Sequence, residues 1–203
     1  MMSADGGFPF AVFSCVAAMK GSCTMKSSKQ IRFLVQGAVI AALYTALTYA
    51  AAAMNLAYGG VQFRFSEALT ILPVFTPAAV PGLVLGCFLS NLASPLGIVD
   101  WVFGTLATLL AALLTRAVKE VKVKGLPVLA PLPPVLMNAL FVGLEIACLS
   151  DAGFSWAAFS WAAFGAAALS VGLGELVVCY VLGLPLWVML HRVKAEERIF
   201  SLR

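Results

Sequence analysis

Residues Ala68–Val99 read ALTILPVFTPAAVPGLVLGCFLSNLASPLGIV, a run of 32 residues without a charged side chain. About 18 apolar residues suffice for a helix to cross a bilayer, so this run is too long for a single crossing. Pro73, Pro77 and Pro81 lie toward its middle. A proline inside a helix removes a backbone donor and clashes with the carbonyl one turn back. The run therefore reads as two short helices, about Phe63 to Phe75 and Ala78 to Ala93, with a re-entrant hairpin as the alternative. Either way it crosses an even number of times, and that parity orients the rest of the chain.

Further uncharged runs flank it: Phe33–Phe63 (31 residues), Trp101–Thr115 (15), Gly125–Leu144 (20), Ala152–Gly174 (23) and Leu176–His191 (16). They are rich in Ala, Leu and Val with scattered Gly, which suits helices; barrel strands would show alternating segments of ~10 residues. Over 203 residues the chain is 62% hydrophobic and 11% charged, with a mean hydropathy of +1.00. A soluble domain carries about 25% charged residues, so a water-facing surface cannot be built here. Disorder needs the opposite composition. The expected class is an all-α membrane protein.

Twelve of the 13 basic residues fall in three clusters: Lys20, Lys26, Lys29 and Arg32; Arg116, Lys119, Lys122 and Lys124; Arg192, Lys194, Arg198 and Arg203. The positive-inside rule puts all three in the cytosol. The span at about Arg32–Met54 then leads out, and that at about Asp100–Thr115 returns. The span at about Val128–Leu149 leads out again, and that at about Ala167–Leu190 comes back. The expectation is one domain over 25–203 with six transmembrane helices and both termini cytosolic. Residues 1–24 fit poorly. Phe8–Met19 is an apolar run of 12 residues, too short to span, and no basic residue precedes it as a signal peptide requires. An N-terminal extension, disordered or an upstream mis-start ahead of Met25, is expected there.

Five of the nine acids, Asp5, Glu120, Asp151, Glu196 and Glu197, fall in loops or tails. Glu67, Asp100, Glu145 and Glu175 fall in apolar segments, where an ionisable group costs on the order of 2.5–3.5 kcal/mol and marks a functional site by default. Asn91 and Asn138 join them, and Asn138 and Glu145, seven apart, share one helix face. An outward-open pocket is expected, with Glu67, Asn91, Asp100, Trp101, Asn138, Glu145 and Glu175 as substrate-binding residues. Buried carboxylates need donors, so the ligand should be cationic or rich in N–H groups. Arg64 can form a structural ion pair with Glu67 at i, i+3.

Simpler roles compete with these. Asp100 can cap a helix beside an interfacial Trp101, Arg64–Glu67 can be a rim salt bridge, and the two asparagines can bond between helices. For Glu145 and Glu175 no opposite charge lies at their level. Ala38, Ala42 and Ala46, continued by Ala50, form a small-residue stripe that either packs an internal neighbour or docks a partner. The repeated FSWAA at 154–158 and 159–163 reads as a short interfacial helix. Cys87, Cys148 and Cys179 read as apolar filler. With His191 as the single histidine, no metal site can be assembled. The chain contains no phosphate-binding P-loop and no nucleophile elbow.

Several segments together carry a resemblance: YGGVQFRFSEAL at 58–69, TPAAVPGL at 76–83, DWVFGTLATLLAA at 100–112, LAPLPPVLMNA at 129–139, VGLGE at 171–175 and GLPL at 183–186. Over about Ile31 to Leu190 the chain resembles the queuosine-precursor transporter family, whose members are substrate-binding S-components of energy-coupling-factor (ECF) transporters. The resemblance implies a six-helix bundle in a bacterial cell membrane with an outward-facing site for a 7-deazaguanine, such as queuine or its aminomethyl precursor. It also implies a transmembrane coupling subunit and two ATPase subunits as partners, docked through Ala38, Ala42 and Ala46. No cofactor and no nucleic acid are implied. In that setting Glu145 or Glu175 would accept the guanine-like N–H edge, with Asn138 on the acceptor edge. Asp100 or Glu67 would meet an ammonium, and Trp101, Tyr58 or Phe63 would stack the ring. A stand-alone proton-coupled permease using Glu145 and Glu175 as carriers is the alternative. An intramembrane enzyme lacks a visible nucleophile–base pair.

Overall fold

The computed structural model describes residues 8–56, 63–150 and 153–200. It opens with α1 (Phe8–Ala53), followed by a 3₁₀ helix (Phe65–Val74), α2 (Ala79–Asn91), α3 (Ile98–Ala117) and α4 (Leu132–Ala147). A two-stranded antiparallel ribbon, β1 (Leu149–Ser150) and β2 (Gly153–Phe154), leads through a 3₁₀ turn at Trp156–Ala158 to α5 (Trp161–Val177). A π-helical segment, Val178–Gly183, joins α5 to α6 (Leu184–Arg192), and α7 (Ala195–Arg198) follows. Of the segment 1–24, residues 1–7 lie outside the described residues, and from Phe8 onward the backbone belongs to α1. Tyr58 and Asp151 also lie outside them.

Helices α1 to α5 pack each against the next, except that the 3₁₀ helix sits between α1, α3 and the π segment. Every residue from Ser66 to Pro73 is buried. A helix that is apolar all round belongs in the middle of a bundle, and this one carries Glu67 there. The chain breaks at Phe75–Ala78, among the three prolines that interrupt the uncharged run.

The expectation of six transmembrane helices is corrected. Among the described residues the bundle is all-α, with six helices when Trp161–Arg192 is counted as one and the four-residue α7 is set aside. Only three helices among the described residues are long and apolar enough to cross a membrane: Ser28–Ala53, Ile98–Ala117 and Trp161–Arg192. The 3₁₀ helix has 10 residues, α2 has 13 and α4 has 16. At their respective rises these reach only about 20–24 Å, short of the ~30 Å hydrocarbon core. Absence of charge overstates helix length because prolines take residues into turns. Gly125–Leu144 is uncharged, yet α4 starts only at Leu132, after Pro127 and Pro131. The parity argument for the two termini falls with the six crossings.

The basic clusters nevertheless converge on one end of the bundle. Gln36 Nε2 donates to the Ile199 carbonyl at 2.9 Å, and Thr76 Oγ1 donates to Gln36 Oε1 at 2.9 Å. Arg116 Nη1 reaches the Pro73 carbonyl at 3.2 Å. Trp156 and Trp161 are exposed near the start of the last long helix, far from its basic end, as in an aromatic belt. The repeated FSWAA has a local cause: Ser155 caps the 3₁₀ turn and Ser160 caps α5, each accepting from a backbone N–H of the first turn. The π segment precedes Pro185, whose missing N–H and bulky ring disfavour regular helix one turn earlier.

Close approach of α1 and α2 depends on Gly82 and Gly86. A Cβ at Gly82 would lie 2.7 Å from the Gly37 carbonyl, and one at Gly86 would lie 2.8 Å from Tyr44 Cβ and 2.9 Å from the Ala41 carbonyl. This is the small-xxx-small arrangement of membrane helix pairs. Gly86→Val is expected to destabilise the protein by about 2–3 kcal/mol, measured by unfolding in detergent. Gly165→Ala, where a Cβ meets nothing within 4 Å, should leave stability unchanged or raised.

Candidate functional site

The polar residues within the bundle form two linked groups. In the first, Arg64 precedes the 3₁₀ helix in extended backbone, and its Nη2 lies 3.7 Å from Asp100 Oδ2. Its Nη1 lies 3.4 Å from Asn91 Oδ1, and Asn91 Nδ2 donates to the Asp100 carbonyl at 3.0 Å. Asp100 sits in the first turn of α3, where the helix dipole favours a carboxylate. Gly104 makes room for the group: a Cβ there would lie 2.5 Å from Asn91 Nδ2 and 2.9 Å from Asp100 Oδ1.

In the second group Glu67 accepts the phenol proton of Tyr44 on α1. Asn138 of α4 is buried close to both Glu67 and Glu175 of α5. Cys179, one turn after Glu175, lies 3.6 Å from Glu175 Oε2 and 3.7 Å from the Glu67 carbonyl. Thr48 Oγ1 donates to Ser66 Oγ at 2.7 Å, tying α1 to the start of the 3₁₀ helix. Arg64 and Glu67, one turn apart, connect the groups. Glu145 of α4, fully buried, feels the charges of Asp100 and Arg64.

Glu67, Asn91, Asp100, Asn138, Glu145 and Glu175 are thus all buried in one region, toward the bundle end away from the basic clusters. Along α3, Asp100 and Arg116 are separated by about 24 Å. Among the described residues, both carboxylate oxygens of Asp100 and both of Glu145 are buried without a hydrogen-bond partner. Buried polar groups are overwhelmingly paired, so two such carboxylates in one place suit a ligand that brings donors. Trp101 is half-buried and packs edge-on against Phe88, with ring centroids 6.4 Å apart. Phe63 is half-buried at the edge of the first group.

Tyr44, Thr48, Ser66 and Cys179 were not singled out by sequence. Tyr44 and Thr48 lie one turn apart on the inner face of α1, continuing Gly37 and Ala41, and that i, i+4 pattern was available. Ala38, Ala42 and Ala46 occupy a different face and are exposed.

Residues 34–192 match the family model described as QueT transporter. The Queuosine precursor transporter QueT of Lactococcus lactis subsp. cremoris (strain MG1363) is 38% identical over 85 residues, covering 42% of this chain and 49% of that protein. The match thus spans about half the length of that relative. No solved structure matches. The family match covers the three long apolar helices, apart from the first residues of one, and all the buried carboxylates. This multi-pass membrane protein therefore belongs to the QueT transporter family.

Proposed function

We propose that this chain is the substrate-binding component of an ECF-type importer and that its buried acidic region captures a queuosine precursor, a 7-deazaguanine such as queuine or its aminomethyl precursor. The observation that carries the reading is Glu145, whose two buried oxygens lack donors among the described residues. A guanine-like edge offers an N–H and a neighbouring amino group, a two-pronged donor that one carboxylate accepts. Asp100 is the second acceptor, suited to an ammonium. Asn138, buried close to Glu67 and Glu175, supplies an amide for the ring's acceptor edge.

Energy for uptake comes in this reading from a transmembrane coupling subunit and two ATPase subunits, in keeping with a sequence that lacks a P-loop. The docking surface is the exposed stripe Ala38, Ala42 and Ala46, which inward packing of α1 leaves unused. The test is equilibrium binding of queuine, its aminomethyl precursor, guanine and an unrelated vitamin to purified protein, followed by uptake with and without the ATPase subunits. Selective binding of the 7-deazaguanines and ATPase-dependent uptake are expected. Uptake driven by a proton gradient alone would favour the stand-alone permease.

Ala42→Trp separates docking from binding. A bulky ring on the exposed stripe should abolish uptake and leave queuine affinity unchanged, because the side chain faces away from the acidic region. Loss of binding would instead show that the stripe packs internally.

A further inference from the structure

A groove of about 610 Å³ runs along the basic end of the bundle, between α1, the 3₁₀ helix, α6 and the segment after α7. It exists because the proline turn after the 3₁₀ helix stops at Thr76, beside Gln36, while α1 continues past it toward the basic end. Ile199 and Phe200 close the lower side, held by the bond from Gln36 to the Ile199 carbonyl. The walls are apolar, with Val35, Val39 and Leu43 of α1 exposed along the opening and Leu72 and Leu190 behind. The charged lining residues are Arg32 and Arg198.

We propose that this groove binds one anionic phospholipid, with the acyl chain along α1 and the phosphate between Arg32 and Arg198. The dimensions fit that occupant. From Ile31 to Leu43 the groove follows α1 for about 18 Å, close to the depth of one leaflet of a ~30 Å hydrocarbon core. Its opening lies on the apolar flank of a membrane-length helix, where lipid is the solvent. Guanidinium groups pair strongly with phosphate oxygens. Basic pockets between membrane helices on the cytoplasmic side are suited to anionic headgroups. Lys29, Arg116, Arg192 and Lys194 at the same end add to the attraction. An extended protein segment would need partners for its own backbone, and these walls offer few polar groups.

The experiment is a titration of the purified full chain, in neutral detergent, with phosphatidylglycerol and with phosphatidylcholine of the same acyl chains, read by native mass spectrometry. Two basic residues should favour the anionic lipid about thirtyfold. The double variant R32Q/R198Q should lose that preference, whereas K119Q/K122Q, on the exposed loop after α3, should keep it. Val39→Trp, which fills the groove, should lower occupancy by both lipids while queuine binding or the thermal transition stays intact. Undiminished phosphatidylglycerol binding by R32Q/R198Q overturns the proposal. If that variant cannot be purified, undiminished binding by V39W overturns it equally. Displacement of the lipid by inorganic phosphate would assign the arginines to a free anion. Loss of ATPase-subunit assembly in R32Q/R198Q, with lipid preference unchanged, would assign the groove to a protein partner; both results reject the lipid site.

Discussion

Glu145→Gln is expected to weaken queuine binding about a hundredfold and, at the same time, to make the ligand-free protein more stable. The two effects share one cause. Glu145 is fully buried on α4, and neither carboxylate oxygen has a hydrogen-bond partner among the described residues. Charge-assisted hydrogen bonds contribute roughly 1.5–3 kcal/mol each, so two of them to an N–H edge account for about two decades of affinity. Without ligand the same carboxylate is a desolvated acid near Asp100, and replacing it by an amide relieves about 1 kcal/mol or more. Isothermal titration with queuine and thermal unfolding in detergent measure the two quantities. Unchanged affinity would remove Glu145 from the binding site. Falling stability alongside falling affinity would make it a structural residue.

Asp100→Leu should be the most destabilising single change among the buried charges, at about 3–5 kcal/mol. It removes the carboxylate that lies 3.7 Å from the Arg64 guanidinium, both groups being buried. Asn91 still offers its oxygen to Arg64 at 3.4 Å, which places the loss toward the lower end of that range. The companion variant Arg64→Leu/Asp100→Leu is expected to recover most of the stability, since replacing a buried pair by apolar residues is often neutral or favourable. Chemical unfolding of the three proteins gives the comparison. A double variant no more stable than D100L would show that the pair is not the unit that matters.

How far the sequence could be read depended on the kind of signal each residue carries. Charged side chains in apolar runs are conspicuous because burying them is costly, and Glu67, Asp100, Glu145 and Glu175 stood out for that reason. The prolines at 73, 77 and 81 marked a chain break because their geometry acts locally. Helix length was not legible in the same way. Pro127 and Pro131 lie in an uncharged segment that is turn, not helix, so hydropathy counted residues that add no height. Tyr44 and Thr48 escaped notice because a hydroxyl costs little in an apolar stretch, yet they hold Glu67 and Ser66. Arg64 illustrates the limit of local rules. The i, i+3 spacing points to Glu67, but it does not reveal Asp100, 36 positions along the chain and 3.7 Å from the guanidinium only once α3 has packed. Cys179 reads as filler in the sequence, although its i, i+4 spacing from Glu175 already puts the two side chains on one helix face; its approach to the Glu67 carbonyl depends on how the helices pack.

The unequal heights of the helices bear on the surrounding lipid. Trp161–Arg192 has 32 residues in nearly continuous helix, about 48 Å at helical rise, well over the thickness it must cross. The 3₁₀ helix, α2 and α4 fall short of it. Around the perimeter the hydrophobic belt therefore rises and dips, and a bilayer of uniform thickness cannot match it everywhere. The long helix is accommodated by tilting, and acyl chains thin beside the short ones, at a cost of fractions of a kcal/mol per Å of mismatch. Bilayer thickness thereby becomes a variable of the protein's conformational energy, and changing lipid chain length alone shifts the balance among the orientations it can adopt.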